Sequence, residues 1–98
     1  MKKLRDRIDE VDGESTIEGK ACEFAEKRGW FVVKLMRCNI DSMPDRLFHR
    51  RGYTMYIEFK KFGEGPNPKQ AKRHRELRSK GIPVHVVDTL EAAHDLLQ

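Results

Sequence analysis

The chain has 98 residues, of which 38% are hydrophobic and 37% charged, and this composition suits one small domain with a thin core. No apolar run is long enough to cross a bilayer, and no apolar signal segment follows the charged N-terminal residues MKKLRD. We therefore expect a single domain over residues 1–98, located in the cytoplasm, without a membrane partner.

The net charge indicates which partner to expect, and the cysteines indicate which structural sites not to expect. The 20 Lys and Arg residues exceed the 16 Asp and Glu residues, and the net charge of +4 is compatible with a nucleic-acid partner. Cys22 and Cys38 lack CxxC spacing and the four histidines are scattered, which argues against a zinc site and a disulfide scaffold. No glycine-rich turn marks a Rossmann fold, and we expect no small-molecule cofactor.

The N-terminal region predicts a short amphipathic arm followed by a longer helix. The arm covers residues 1–12, where Leu4, Ile8 and Val11 recur at helical spacing, and we expect it to pack on the domain or on a second subunit. Ser15 and Glu18 then have the spacing of a helix capping box. Gly29 is suited to end that helix in the left-handed conformation.

Three strands are predicted next: Trp30–Leu35, Leu47–His49 and Tyr53–Phe62. The polar loop 39–44 joins the first two strands, and Arg51-Gly52 forms a tight turn between the last two. Because side chains alternate along a strand, Glu58 and Lys60 share one face of the third strand, opposite the apolar face that enters the core.

The C-terminal third predicts a basic helix, a strand and a short helix. Asn67 and Pro68 suit the N-cap and the first position of a helix that runs to Lys80. The residues 82–87 predict a buried strand, and a final helix begins within 88–91. The element order (α)αβββαβα predicts an α/β fold with a mixed β-sheet flanked by helices.

Two carboxylates and a lysine on neighbouring predicted strands indicate metal chemistry. Asp45 and Glu58 converge if those strands are adjacent, and Mg²⁺ or Mn²⁺ takes such oxygen ligands, with the backbone carbonyl of Phe59 as a further candidate. Lys60 is placed to orient an attacking water or to stabilise charge on a phosphate. A Glu-x-Lys pair alone is usually an ordinary charged face, so the interpretation depends on the upstream Pro44-Asp45 step.

These residues resemble a known nuclease signature. Pro44-Asp45 followed by Glu58-Phe59-Lys60 is similar to the PD-(D/E)xK motif of restriction-endonuclease-like enzymes. Pro68-Lys69-Gln70 and Leu77–Gly81 extend the similarity to the VRR-NUC branch, over roughly residues 14–97. The resemblance implies a restriction-endonuclease-like fold and divalent-metal-dependent DNA cleavage. It also implies, for small members, a homodimer similar to Holliday-junction resolvases, whereas other members are domains of DNA-repair nucleases.

The resemblance implies two further catalytic residues, Glu18 and Gln70. Glu18 would complete the metal shell, although it also fits the predicted capping box, and Glu14 one helical turn earlier is the alternative acid. Gln70 begins the inward-facing stripe of its helix and is expected to orient Lys60, a water or the scissile phosphate. Its alternative role is a hydrogen bond to the backbone at the helix start. The stripe continues at His74, Leu77 and Gly81.

Basic residues near this site are candidates for contacts with DNA phosphates. They are Lys69, Lys72, Arg73 and Arg75 on the basic helix, and Arg46, Arg50 and Arg51 around the first hairpin. The same charges also suit an ordinary solvated face.

The predicted function is that of a metal-dependent, structure-selective DNA endonuclease that acts as a homodimer. Because no base-reading module is recognisable in the sequence, we expect the substrate to be selected by DNA shape. The resemblance to junction resolvases implies that branched or junction DNA is favoured. Two alternatives stay open, a non-catalytic nucleic-acid-binding or assembly module on the same fold and an RNA-processing nuclease. One departure from the family pattern precedes the motif, where Ser42-Met43 replaces the glycine that is common ahead of the Pro-Asp step.

Overall fold

The computed structural model describes residues 13–98, so the predicted arm over residues 1–12 lies outside the described residues. The elements are α1 (Glu14–Lys27), β1 (Phe31–Lys34), β2 (Arg46–Arg50), β3 (Tyr53–Phe59), α2 (Pro68–Ser79), β4 (Val84–Val87) and α3 (Leu90–Leu96). This order confirms the predicted αβββαβα arrangement. In the part of the chain that the structure describes, no helix is long and apolar enough to span a membrane.

The four strands form one mixed sheet in the order β1-β2-β3-β4. β2 pairs antiparallel with β1 and β3, whereas β4 pairs parallel with β3 because α2 crosses over between them. Arg46 lies opposite Ile57, and Glu58 lies opposite Val86. β3 therefore has a neighbouring strand on each side, and the predicted catalytic strand is an interior strand of the sheet.

Different helices cover the two faces of the sheet. α1 and α3 contact each other and enclose the main core, in which Met55, Ile57 and Phe59 of β3 are buried. Glu58 alternates with these residues and is contacted by α2 instead. The predicted alternation along β3 is thus confirmed, and the acidic side chain lies between the sheet and the basic helix.

The start of α1 differs from the predicted capping box. The helix begins at Glu14, with Gly13 as an extended N-cap and no capping hydrogen bond from a side chain. Ser15 already lies inside the helix, where its hydroxyl cannot act as the N-cap, so the predicted Ser15–Glu18 capping box is wrong. Glu14 consequently occupies the first helical turn, and the Glu18 carboxylate is available for another contact.

Glycine ends α1 as predicted. Gly29 has φ 85° and donates its N–H to the carbonyl of Glu26, while the N–H of Trp30 donates to Ala25, both at 3.1 Å. This pair of bonds is the Schellman arrangement, which needs a left-handed residue at its centre. The chain therefore turns sharply from α1 into β1.

β3 is shorter than predicted and ends at Phe59 rather than Phe62. Lys60 follows the last strand residue, and its N–H still donates to the carbonyl of Val87 at 2.9 Å. This bond holds the backbone of Lys60 at the end of the sheet. The lysine side chain therefore emerges beside Glu58, at the point where β3 leaves the sheet.

The loop before β2 contains a strained backbone position. Ser42 has φ 60°, in the left-handed region that residues with a Cβ rarely adopt. The strain lies three residues before Asp45, in the segment where the family pattern has glycine. The loop therefore adopts a glycine-like conformation without the glycine.

We expect Ser42→Gly to stabilise the protein, because it removes the steric cost of φ 60° at this position. Relief of left-handed strain minus the entropy cost of glycine leaves about 1 kcal/mol, or a rise of roughly 4–8 °C in Tm. Calorimetry of the metal-free protein measures this rise. Ser42→Ala keeps the Cβ and should show no rise, and an equal Tm in the two variants would contradict the prediction.

Candidate active site

Asp45 is held at the start of β2 by two hydrogen bonds to neighbouring segments. Its Oδ2 atom accepts the backbone N–H of Phe59 at 2.7 Å, and its carbonyl accepts the N–H of Leu35 at 3.0 Å. Pro44, which precedes it, is fully buried. The carboxylate is therefore fixed against the end of β3, as the convergence of the two strands predicted.

Glu58 is the buried acid of the site, with 2% of its surface exposed. Burial, the negative charge of Asp45 and a hydrogen bond between the two carboxyl groups raise the pKa of Glu58 from 4.5 to about 8, against the opposing effect of Lys60. Ionisation of both acids is therefore disfavoured at neutral pH, and additional positive charge would favour it.

Gln70 makes the backbone hydrogen bond considered for it at the helix start, and it also contacts Glu58. Its Oε1 atom accepts the N–H of Asn67 at 3.0 Å, while the Asn67 side chain accepts the N–H of Gln70 at 2.9 Å. Its Nε2 atom donates to Oε2 of Glu58 at 3.5 Å. The cap fixes the amide oxygen and thereby aims the amide nitrogen at Glu58, rather than at the predicted partner Lys60.

The two acids of α1 have different environments. Glu18 accepts a hydrogen bond from Nε of Arg46 at 2.6 Å and is largely enclosed. The pKa of Glu14 is raised by burial and by the charge of Asp45, while Lys60 lowers it. Glu14, the alternative acid, therefore interacts electrostatically with Asp45 and Lys60, whereas the Glu18 carboxylate is paired with an arginine.

His74 contacts the site although the sequence analysis gave it no role there. It is 1% exposed, and its Nε2 atom lies 3.3 Å from Oε1 of Glu58. Burial and the charge of Arg78 lower the pKa of this imidazole. The sequence did contain a signal for it, because His74 follows Gln70 by four residues on the inward face of α2.

Three of the arginines predicted to contact phosphates, Arg46, Arg50 and Arg73, form hydrogen bonds within the protein. Arg46 pairs with Glu18 at 2.6 Å. Arg50 donates to the carbonyls of Arg28 and Gln98, and its guanidinium lies 4.2 Å from the ring centroid of Trp30. Both arginines therefore already have hydrogen-bond partners within the protein, and their predicted contacts with phosphate stay predictions.

Arg73 links α2 to the loop before β2. Its Nε donates to the carbonyl of Asp41 at 3.1 Å, a second nitrogen lies 3.3 Å from the Asp41 carboxylate, and a third donates to Glu76. The guanidinium of Arg73 thus already bonds to Asp41 and Glu76, and its predicted contact with phosphate stays a prediction. The remaining candidates are exposed at the surface: Lys69, Lys72, Arg75 and Arg51.

The site contains two carboxylates that could bind a divalent cation, but they do not form a complete set of protein ligands. Among residues 13–98, no three acidic, histidine or cysteine side chains are grouped as a metal site. Mg²⁺ needs fewer, because it commonly binds one or two carboxylates and completes its shell with water and substrate phosphate. Asp45 and Glu58 fit that requirement, since an added cation would allow both carboxylates to be ionised.

We expect Glu58 to make the metal-free protein less stable at alkaline pH. Because its pKa is about 8 in the folded protein and 4.5 ordinarily, its contribution is complete below pH 4.5 and is lost as the pH rises through 8. Glu58→Gln should abolish this loss and raise the Tm at pH 9 by roughly 4–8 °C, which corresponds to about 1 kcal/mol.

The measurement is thermal unfolding in EDTA from pH 6 to pH 9. Glu23→Gln, at an exposed position on α1, serves as the matched control and should keep the wild-type pH dependence. An identical pH dependence in Glu58→Gln and the wild type would refute the expectation.

Comparison with known proteins identifies the family. No protein-family model matches the sequence, and no curated protein matches it either. A solved structure described as a VRR_NUC domain superimposes with a TM-score of 0.78 and 30% sequence identity, over 85% of this chain and 91% of its own. The predicted resemblance is confirmed, and the chain belongs to the VRR-NUC family of nuclease-type domains with a restriction-endonuclease-like fold.

Proposed function

We propose that this protein is a divalent-metal-dependent DNA endonuclease that hydrolyses phosphodiester bonds. The observation that carries the proposal is the buried carboxyl of Glu58, held against Asp45 at the end of an interior strand from which Lys60 emerges. A purely structural role would leave the cost of burying Glu58 beside a second acid unexplained. The family assignment supports the same chemistry.

Asp45 and Glu58 are the proposed ligands of Mg²⁺ or Mn²⁺, with the carbonyl of Phe59 as a further ligand. When bound, such an ion supplies Lewis-acid charge to the phosphate and to the attacking water. Glu14 is favoured over Glu18 as the acid contributed by α1, because the charges of Asp45 and Lys60 act on Glu14. The contact between Glu18 and Arg46 instead ties α1 to β2.

Lys60 and Gln70 are proposed to act on different groups, Lys60 on the phosphate or the attacking water and Gln70 on Glu58. The Lys60 ammonium would donate to a phosphate oxygen or orient the attacking water, and it would thereby stabilise the negative charge of the transition state. The amide of Gln70 would hold the Glu58 carboxylate through the 3.5 Å contact. This contact favours Glu58 over Lys60 as the group that Gln70 orients.

The exposed cations of α2 are the proposed contacts to the DNA backbone. Lys69, Lys72 and Arg75 lie at the surface of the helix that also carries Gln70. Such contacts position a duplex without reading its bases, so the substrate would be selected by shape, with branched or junction DNA favoured. One site cuts one strand, and a symmetric homodimer would cut two.

The test of the function is a cleavage panel with Mg²⁺ and with Mn²⁺, using a four-way junction, a flap, duplex DNA, single-stranded DNA and RNA. We expect Asp45→Asn and Lys60→Ala to lose at least about 100-fold in cleavage rate, because each removes a group that acts in the transition state. Binding of the same DNA in Ca²⁺ should stay within about threefold of the wild type.

Lys27→Ala is the matched control for this panel, because Lys27 lies at the opposite end of α1 from Glu14. Sedimentation in solution measures the predicted dimer in parallel. Absence of cleavage by the wild type with either metal, together with retained DNA binding, would favour the non-catalytic binding module. Faster cleavage of RNA than of DNA would favour the RNA-processing alternative.

We expect the double variant Lys69→Gln/Lys72→Gln to weaken DNA binding by a similar factor for all sequences. Each phosphate contact removed should reduce the slope of log affinity against log salt concentration by about 0.9 on duplex DNA. Fluorescence anisotropy at salt concentrations from about 50 to about 200 mM measures this slope. Lys27→Gln is the control, and an unchanged slope in the double variant would remove these lysines from the DNA interface.

A further inference from the structure

His74 and Glu58 form a buried polar pair between α2 and the sheet. Among the residues that the structure describes, His74 and Glu58 are the buried polar or charged side chains, with 1% and 2% of their surfaces exposed, respectively. Their nearest atoms, Nε2 of His74 and Oε1 of Glu58, are 3.3 Å apart. A buried imidazole is costly unless it is hydrogen-bonded, and this carboxyl group supplies its partner.

The two oxygens of Glu58 have separate partners on the same helix. Gln70 reaches Oε2 at 3.5 Å, and His74, four residues later on the same face, reaches Oε1. The terminal torsion of a glutamate side chain is otherwise broad, so a carboxyl group with a single partner can still rotate. Two contacts from one rigid helix fix the plane of the carboxyl group.

Contacts near both ends of α2 fix the helix that carries Gln70 and His74. The Asn67–Gln70 capping box fixes the start of the helix. Arg78 on the same helix donates twice to the carbonyl of Val84, at 2.7 and 3.2 Å, and thereby ties the helix to β4. β4 in turn pairs with β3 on which Glu58 lies. His74 is therefore held between two fixed points of the helix.

We propose that His74 is a positioning residue that holds Glu58 in the orientation required to bind the divalent cation. The inference rests on the proposed function and extends it from the ligands to the group that orients them. Hydrogen-bond partners of this kind fix ligand geometry before the metal arrives, and their removal typically costs about 10–100-fold in metal affinity.

The test is calorimetric titration of Mn²⁺ into the DNA-free protein. His74→Leu fills the site without a hydrogen-bonding group, and we expect its Mn²⁺ affinity to fall by about 10–100-fold. His74→Gln can place an amide nitrogen near the position of Nε2, and we expect it to recover most of that affinity. Thermal unfolding of each variant establishes that it is folded, and recovery by glutamine would not follow from packing alone.

Nuclear magnetic resonance of the wild type gives a second measurement that requires no substitution. Titration with Mg²⁺ should shift the imidazole nitrogen resonances of His74 and leave those of His49 unchanged, because His49 is exposed and bonded to Thr54. This measurement applies even if the leucine variant does not fold.

The outcomes separate the two proposals. Wild-type affinity for Mn²⁺ in folded His74→Leu, or an unperturbed His74 resonance in wild-type protein saturated with Mg²⁺, would overturn the positioning role and leave the endonuclease proposal standing. Wild-type protein that binds neither metal and cleaves no substrate would overturn the proposed function, and the positioning role with it.

Discussion

The structure depends on the approach of two carboxyl groups, those of Asp45 and Glu58, at the end of an interior strand. The backbone N–H of Phe59 holds Asp45, and the sheet and α2 enclose Glu58. Burial of Glu58 and the nearby charge of Asp45 both disfavour its ionisation and raise its pKa. Burying a carboxyl group beside a second one costs stability, so this pair is a candidate functional site on physical grounds.

The strands and helices around Asp45 and Glu58 bring the other side chains of the site close to these two acids. The antiparallel β2–β3 pairing places Asp45 near Glu58, and the parallel β3–β4 pairing requires the crossover helix that carries Gln70. α1 begins with Glu14, on which the charges of Asp45 and Lys60 act. The strand pairings and the crossover helix thus determine which side chains face the two acids.

The sequence predicted the order of elements from local periodicity, and it predicted the approach of Asp45 to Glu58 from the positions of these residues on neighbouring strands. The helix acid was harder to identify, since Ser15 and Glu18 match a capping box but the helix begins at Glu14. The arginine contacts could not be predicted, because a sequence shows charge without showing its partner. Arg50, for example, reaches the carbonyl of Gln98, 48 residues away.

The link between Arg73 and Asp41 has a mechanical consequence. It joins the loop before β2 to the helix that contacts Glu58, through the carbonyl and the carboxylate of Asp41. The segment that leads to Asp45 and the helix that contacts Glu58 therefore hold each other in place, in addition to their separate attachments to the sheet.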